Sequence, residues 1–108
     1  MGFDSTMWGA PERGTGTGTN AGVTVTLAAS GNQTHAITGI TTSSDAACVV
    51  TIESPAGTVL WRKRFAAAHA DTPPLGLTPI MGAPGQATLV KVSASTAACE
   101  ASIVGQLI

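Results

Sequence analysis

"VTVTL", residues 23–27, sets Val23, Val25 and Leu27 on one side of an extended chain and Thr24 and Thr26 on the other. β-Branched residues repeating every second position mark a half-buried strand. From here to the C-terminus the chain keeps this period and breaks it only at turn residues. "THAITGITT" (34–42) follows the turn "SGN", and Gly39 within it marks a bulge or a close backbone approach. "ACVVTIE" (47–53) points Cys48, Val50 and Ile52 inward and Val49, Thr51 and Glu53 outward. After the turn "SPAG" (54–57), "TVLWRKRF" (58–65) points Val59, Trp61 and Phe65 inward, with Leu60, Arg62 and Arg64 on the opposite face. "AAAHA" (66–70) is too short for an independent helix and reads as strand end and loop. Residues 71–86 hold four of the six prolines and predict extended chain along one end or edge. "ATLVKVSAS" (87–95) and "CEASIVGQLI" (99–108) close the pattern, the latter with Cys99, Ala101, Ile103 and Leu107 on one face. No helical period persists for ten residues. Six or more short strands with Gly/Pro turns predict an all-β fold, a compact β-sandwich or jelly roll.

Residues 1–21 stand apart in this reading. "PERGTGTGTN" carries no large apolar side chain, and Gly14, Gly16 and Gly18 add chain entropy that any ordered state must overcome. The opening "MGFDSTMW" holds Phe3, Met7 and Trp8. The expectation is an extended N-terminal arm, residues 1–21, in front of a domain at 22–108. Phe3, Met7 and Trp8 would be the contacts that the arm makes with a partner.

Charge is scarce, at 10% of residues with a net charge of −1, against roughly a quarter in ordinary domains. That balance argues against a nucleic-acid-binding protein, which needs a basic surface. No apolar run reaches the length of a membrane helix, so no membrane partner is expected. Residues 1–10 include Asp4, lack a cation and lack the apolar run of a secretion signal, which predicts synthesis in the cytoplasm. Arg62, Lys63 and Arg64 gather three of the five cations on one strand; Arg62 and Arg64 share a face and are interface candidates. A surface with so few charges and so much Thr and Ala suits coverage by neighbouring chains, hence a homo-oligomer, with a trimer favoured.

Catalytic chemistry finds no foothold. The only histidines are His35 and His69 and the only thiols Cys48 and Cys99, and none has metal-ligand spacing. No nucleophile elbow is present, and the Gly/Thr run lacks the lysine and helix of a phosphate loop. The expectation is therefore no catalytic residue, no metal and no cofactor. Cys48 and Cys99 leave two readings open: buried small hydrophobes, or a disulfide between the third and final strands.

"HAITGI" (His35 to Ile40), "VVTIE" (Val49 to Glu53), "VLW" (Val59 to Trp61) and "GAPG" (Gly82 to Gly85), with a closing "GQLI", carry a resemblance. Over residues 34–108 the chain resembles small virion proteins of tailed bacteriophages, of the capsid decoration (cement) type. The resemblance implies a β-sandwich or jelly-roll structural protein. It would be made in the host cytoplasm, reside on the capsid surface of the virion and bind across subunits of the major capsid protein. A minor tail or neck component, or a module binding host glycan, is the alternative. Residues 1–21 fall outside the resemblance.

Overall fold

The computed structural model describes residues 10–19, 22–73, 75, 78–93 and 98–108. Among these residues nine strands follow one another: β1 (Ala10–Thr19), β2 (Val23–Leu27), β3 (His35–Ser44), β4 (Cys48–Glu53), β5 (Val59–Phe65), β6 (His69–Asp71), β7 (Ile80–Met81), β8 (Thr88–Ser93) and β9 (Ala98–Leu107). No helix occurs among the described residues. One sheet runs β1-β9-β3-β6, with the two-residue β7 also on β3, and the other runs β2-β8-β4-β5. All pairings are antiparallel. Apart from β7, the pairs β1–β9, β2–β8, β3–β6 and β4–β5 nest one inside the next, as in a long hairpin rolled around itself. That is the jelly-roll arrangement, a β-sandwich of two antiparallel sheets.

The two sheets enclose a core of Val25, Leu27, Ile37, Ile40, Cys48, Val50, Ile52, Val90, Val92, Cys99, Ala101 and Ile103. Each occupies an inward position of the period-two pattern. Trp61, Phe65 and Ile80 pack on its margin, half-buried. The register of β3 against β9 shifts between Ile37 and Gly39, so the bulge expected near Gly39 is present. A second bulge was not expected. Ile52 pairs with Trp61 but Glu53 pairs with Val59, which leaves Leu60 as the extra residue. The bulge turns Val59 outward, to 48% exposure, and removes it from the inner face on which simple alternation placed it.

The largest difference from the sequence expectation lies at the N-terminus. Residues 10–19 are not an arm outside the domain. They form β1, the edge strand of the first sheet, paired with β9 from Ala10↔Leu107 to Thr19↔Ala98. The Gly/Thr run is itself period two. Thr15, Thr17 and Thr19 face solvent, and Gly14, Gly16 and Gly18 face inward. Glycine is required there because β1 passes closely over the margin of β2. A Cβ on Gly14 would lie 2.8 Å from Val25 Cγ1, one on Gly16 2.9 Å from Val25 Cγ2, and one on Gly18 would overlap the Gly22 carbonyl. The domain boundary expected at residue 22 therefore moves back to include β1. Phe3, Met7 and Trp8 lie outside the described residues.

The "SPAG" and "GAPG" turns meet at one end of the roll. The Gly82 N–H donates to the His35 carbonyl (2.8 Å) and the Gly85 N–H to the Gln33 carbonyl (2.9 Å), which docks the "GAPG" turn on the start of β3. Buried Ser54, at the start of the "SPAG" turn, accepts from the Ala83 N–H and from Thr88 Oγ1 and donates to the Ala87 carbonyl. A Cβ on Gly82 would overlap Thr88 Oγ1. These bonds form a joint between the two turns.

Candidate functional site

Three places bring chemically capable side chains together. The first is the joint that holds β1. His35 opens β3 and is 1% exposed. Its Nδ1 lies 2.5 Å from Glu12 Oε2 on β1, and its Nε2 lies 3.0 Å from the Ala28 carbonyl just after β2. A carbonyl only accepts, so Nε2 donates to it, which leaves Nδ1 to make the contact with the Glu12 carboxyl. One imidazole therefore ties three segments that are remote in sequence.

The second place is at the other end of the sandwich. Cys48 Sγ lies 3.6 Å from His69 Nδ1, and Thr42 Oγ1 lies 3.1 Å from His69 Nε2. The His69 ring stacks on Phe65 with centroids 3.6 Å apart, and Lys63 pairs with Asp71 at 3.2 Å. A thiol beside an imidazole that a third group orients has the outline of a nucleophile and base. The electrostatics run the other way. Burial pushes the Cys48 thiol above its ordinary range, despite a lowering hydrogen bond with Ser44. Burial pushes His69 below its ordinary range, with Asp71 opposing and Lys63 adding to the effect. A reactive cysteine needs a stabilised thiolate. Here thiol and imidazole are both held neutral, and the cluster packs the end of the core. Cys99, in the facing sheet, is also raised by burial. Both thiols are free and buried in the structure.

The third place is the outer surface. On the outward side of the β2-β8-β4-β5 sheet the register sets Lys91 of β8, Thr51 of β4 and Arg62 of β5 in one row, with Arg64 one row further along. Among the described residues, none of these three cations is in a salt bridge, and all three are exposed. Glu53, beside them, is already committed. It accepts from Thr51 Oγ1 (2.7 Å) and from the Gly57 N–H (2.8 Å), and these bonds hold its carboxyl below the usual range. The opposite face, on β1, β9 and β3, presents hydroxyls. Thr15, Ser102 and Thr41 stand side by side across three strands, and a shallow depression of about 480 Å³ lies over them with Glu100 at its side. Among the described residues, no aromatic side chain lines it.

The two sheets differ in charge. Arg62, Lys63, Arg64 and Lys91 lie on one sheet with Glu53, whereas Glu12, Asp71 and Glu100 lie on the other with Arg13. The structure thus places the sequence candidates Arg62 and Arg64 together on an open face and adds Lys91, which their alternation alone did not bring in. Cys48 and Cys99 are brought to the core. No group of three His, Cys, Asp or Glu residues suited to a metal ion occurs among the described residues. Sequence reasoning missed the Glu12–His35 and Cys48–His69 contacts. Partners 23 and 21 residues apart leave no local signal. Comparison with models of known families and with curated proteins yields no match.

Proposed function

We propose that this chain is a structural, non-enzymatic virion protein of a tailed bacteriophage, of the capsid decoration (cement) type. It would act on the capsid surface as a homo-oligomer, with a trimer favoured, that bridges subunits of the major capsid protein. The observation that carries the reading is the division of labour among the side chains. The histidines, the thiols and Glu53 are spent on internal joints, while two broad sheet faces are left open, one rich in hydroxyls and one bearing Arg62, Arg64 and Lys91. Flat polar faces on a rigid roll suit burial against other protein surfaces. The motifs shared with the phage proteins support the same reading. Binding only to the assembled shell would stabilise it by mass action, and repetition around the shell would turn weak contacts into avidity. Arg62, Arg64 and Lys91 would meet acidic patches of the capsid protein, with Phe3, Met7 and Trp8 reaching further contacts.

The test is quantitative mass spectrometry of purified particles from a phage that encodes this chain. Hundreds of copies per particle are expected. A handful of copies would move the chain to the neck or tail, and no copies would overturn the proposal.

A further inference from the structure

β1 has an unusual standing in this fold. It contributes ten residues to the ladder on β9, yet none of the buried core residues comes from it. Its inward side chains are Glu12 and then glycine at 14, 16 and 18. β1 covers the core without filling it: Val25, Leu27 and Ile103 lie directly under the backbone at Gly14. What lies under β1 is a socket: the free edge of β9, a lane walled by Val23 and Val25 that admits only glycine, and one polar contact at His35. A strand that fits must carry a carboxylate followed by small residues at every second position. Within this chain only the segment from Glu12 to Gly18 has that pattern.

The geometry points to β1 as an exchangeable strand, with a second copy of this chain as the partner that receives it. In the exchanged form the ladder to β9, the glycine lane and the Glu12–His35 contact are all made again, with Glu12 contributed by the other copy. Exchange of an identical element costs no contacts and is a low-cost route to closed oligomers. The connector favours it. Only residues 20–22 separate β1 in one sheet from β2 in the other, and at this corner Gly18 is packed against the Gly22 carbonyl with no room for a methyl group. Short hinge connections invite exchange of the element they carry. The intrachain strand has an effective concentration on the order of millimolar, so exchange becomes competitive where copies are crowded to that level. The inference concerns the chain itself and stands apart from the virion proposal.

The test uses the full chain with Thr15→Cys and Ser102→Cys, two outward positions that face each other in register. The protein is oxidised at about 10 µM and at about 1 mM, then denatured without reductant and weighed, with peptide mapping to locate each link. The expected result is 15–102 links between chains, with their share rising on the order of tenfold or more between the two concentrations. Links confined to single chains at both concentrations would overturn the inference. Should this pair not fold, Thr17→Cys with Glu100→Cys offers the next facing pair. A second variant inserts Gly-Ser-Gly-Ser between residues 20 and 21. It should lower the interchain share by relaxing the corner, and an unchanged share would count against exchange. Failure of the particle count leaves this result standing, and the reverse also holds.

Discussion

β1 and β2 flank the same margin of the roll and are held by different physics. β2 is half as long, yet it buries Val25 and Leu27 in the core. β1 spans ten residues, and from Pro11 to Thr19 it buries no apolar side chain. Its attachment rests on backbone pairing with β9, on van der Waals contact through glycine, and on the Glu12–His35–Ala28 joint. Apolar burial fixes a strand through many non-directional contacts, whereas a ladder with one polar anchor fixes register and can open as a unit. An edge held in the second way is exchangeable, and an edge held in the first way is part of the core.

The sharpest way to break this contrast is in β2. Leu27→Ala should cost about 2–5 kcal/mol of global stability, through lost burial and the cavity left behind. Chemical denaturation measures it, and a cost below that of any β1 variant would erase the distinction. Next is the anchor of β1. Glu12→Ala leaves the buried His35 Nδ1 without its partner and should cost about 1–3 kcal/mol. Hydrogen exchange should show β1 amides opening much faster while β8 and β4 amides keep most of their protection. Equal acceleration throughout would make β1 a full member of the cooperative core. Glu53 offers a carboxylate that serves one hairpin rather than three segments. Glu53→Gln weakens the bonds from Thr51 and Gly57 and should cost about 1–2 kcal/mol at neutral pH. Because the folded-state carboxyl is held low, its stabilisation is complete above the ordinary glutamate range and is lost as pH falls through the depressed value. Denaturation of parent and variant should therefore converge in acid, and a gap that is constant with pH would contradict the assignment. The smallest effect belongs to the outward side of β1, where Thr17→Ala should change stability by no more than about 0.5 kcal/mol. A larger loss in thermal melts would mean that the hydroxyl face is itself part of the attachment.

Much of the fold was legible because alternation is a local property. β2, β3, β4, β8 and β9 were each readable from apolar residues at every second position, and the turns from Gly, Pro and Ser. The same rule misplaced Val59, since a bulge is set by how β4 and β5 pair and not by either strand alone. "GTGTGT" was harder. Its alternation was in plain view, but glycine has no side chain to report burial, and its meaning depends on Val23 and Val25 passing beneath. The candidate sites divide in the same way. Arg62 and Arg64 share a face by parity and were readable, whereas Lys91 joined them only once β8 was set beside β4.

The sequence by itself determined that this chain is all-β, where most strands begin and end, and which face of each is apolar. Those outcomes follow from steric preference and from the two-residue repeat, and both act within a few residues. The tertiary structure alone decided that residues 10–19 belong to the sheet, that Glu12 meets His35, that Cys48 meets His69, and that four of the five cations gather on one sheet while three of the six acids lie on the other. Each of these joins residues about twenty or more positions apart. Such contacts exist only when the roll closes and apolar burial offsets the entropy of bringing distant segments together.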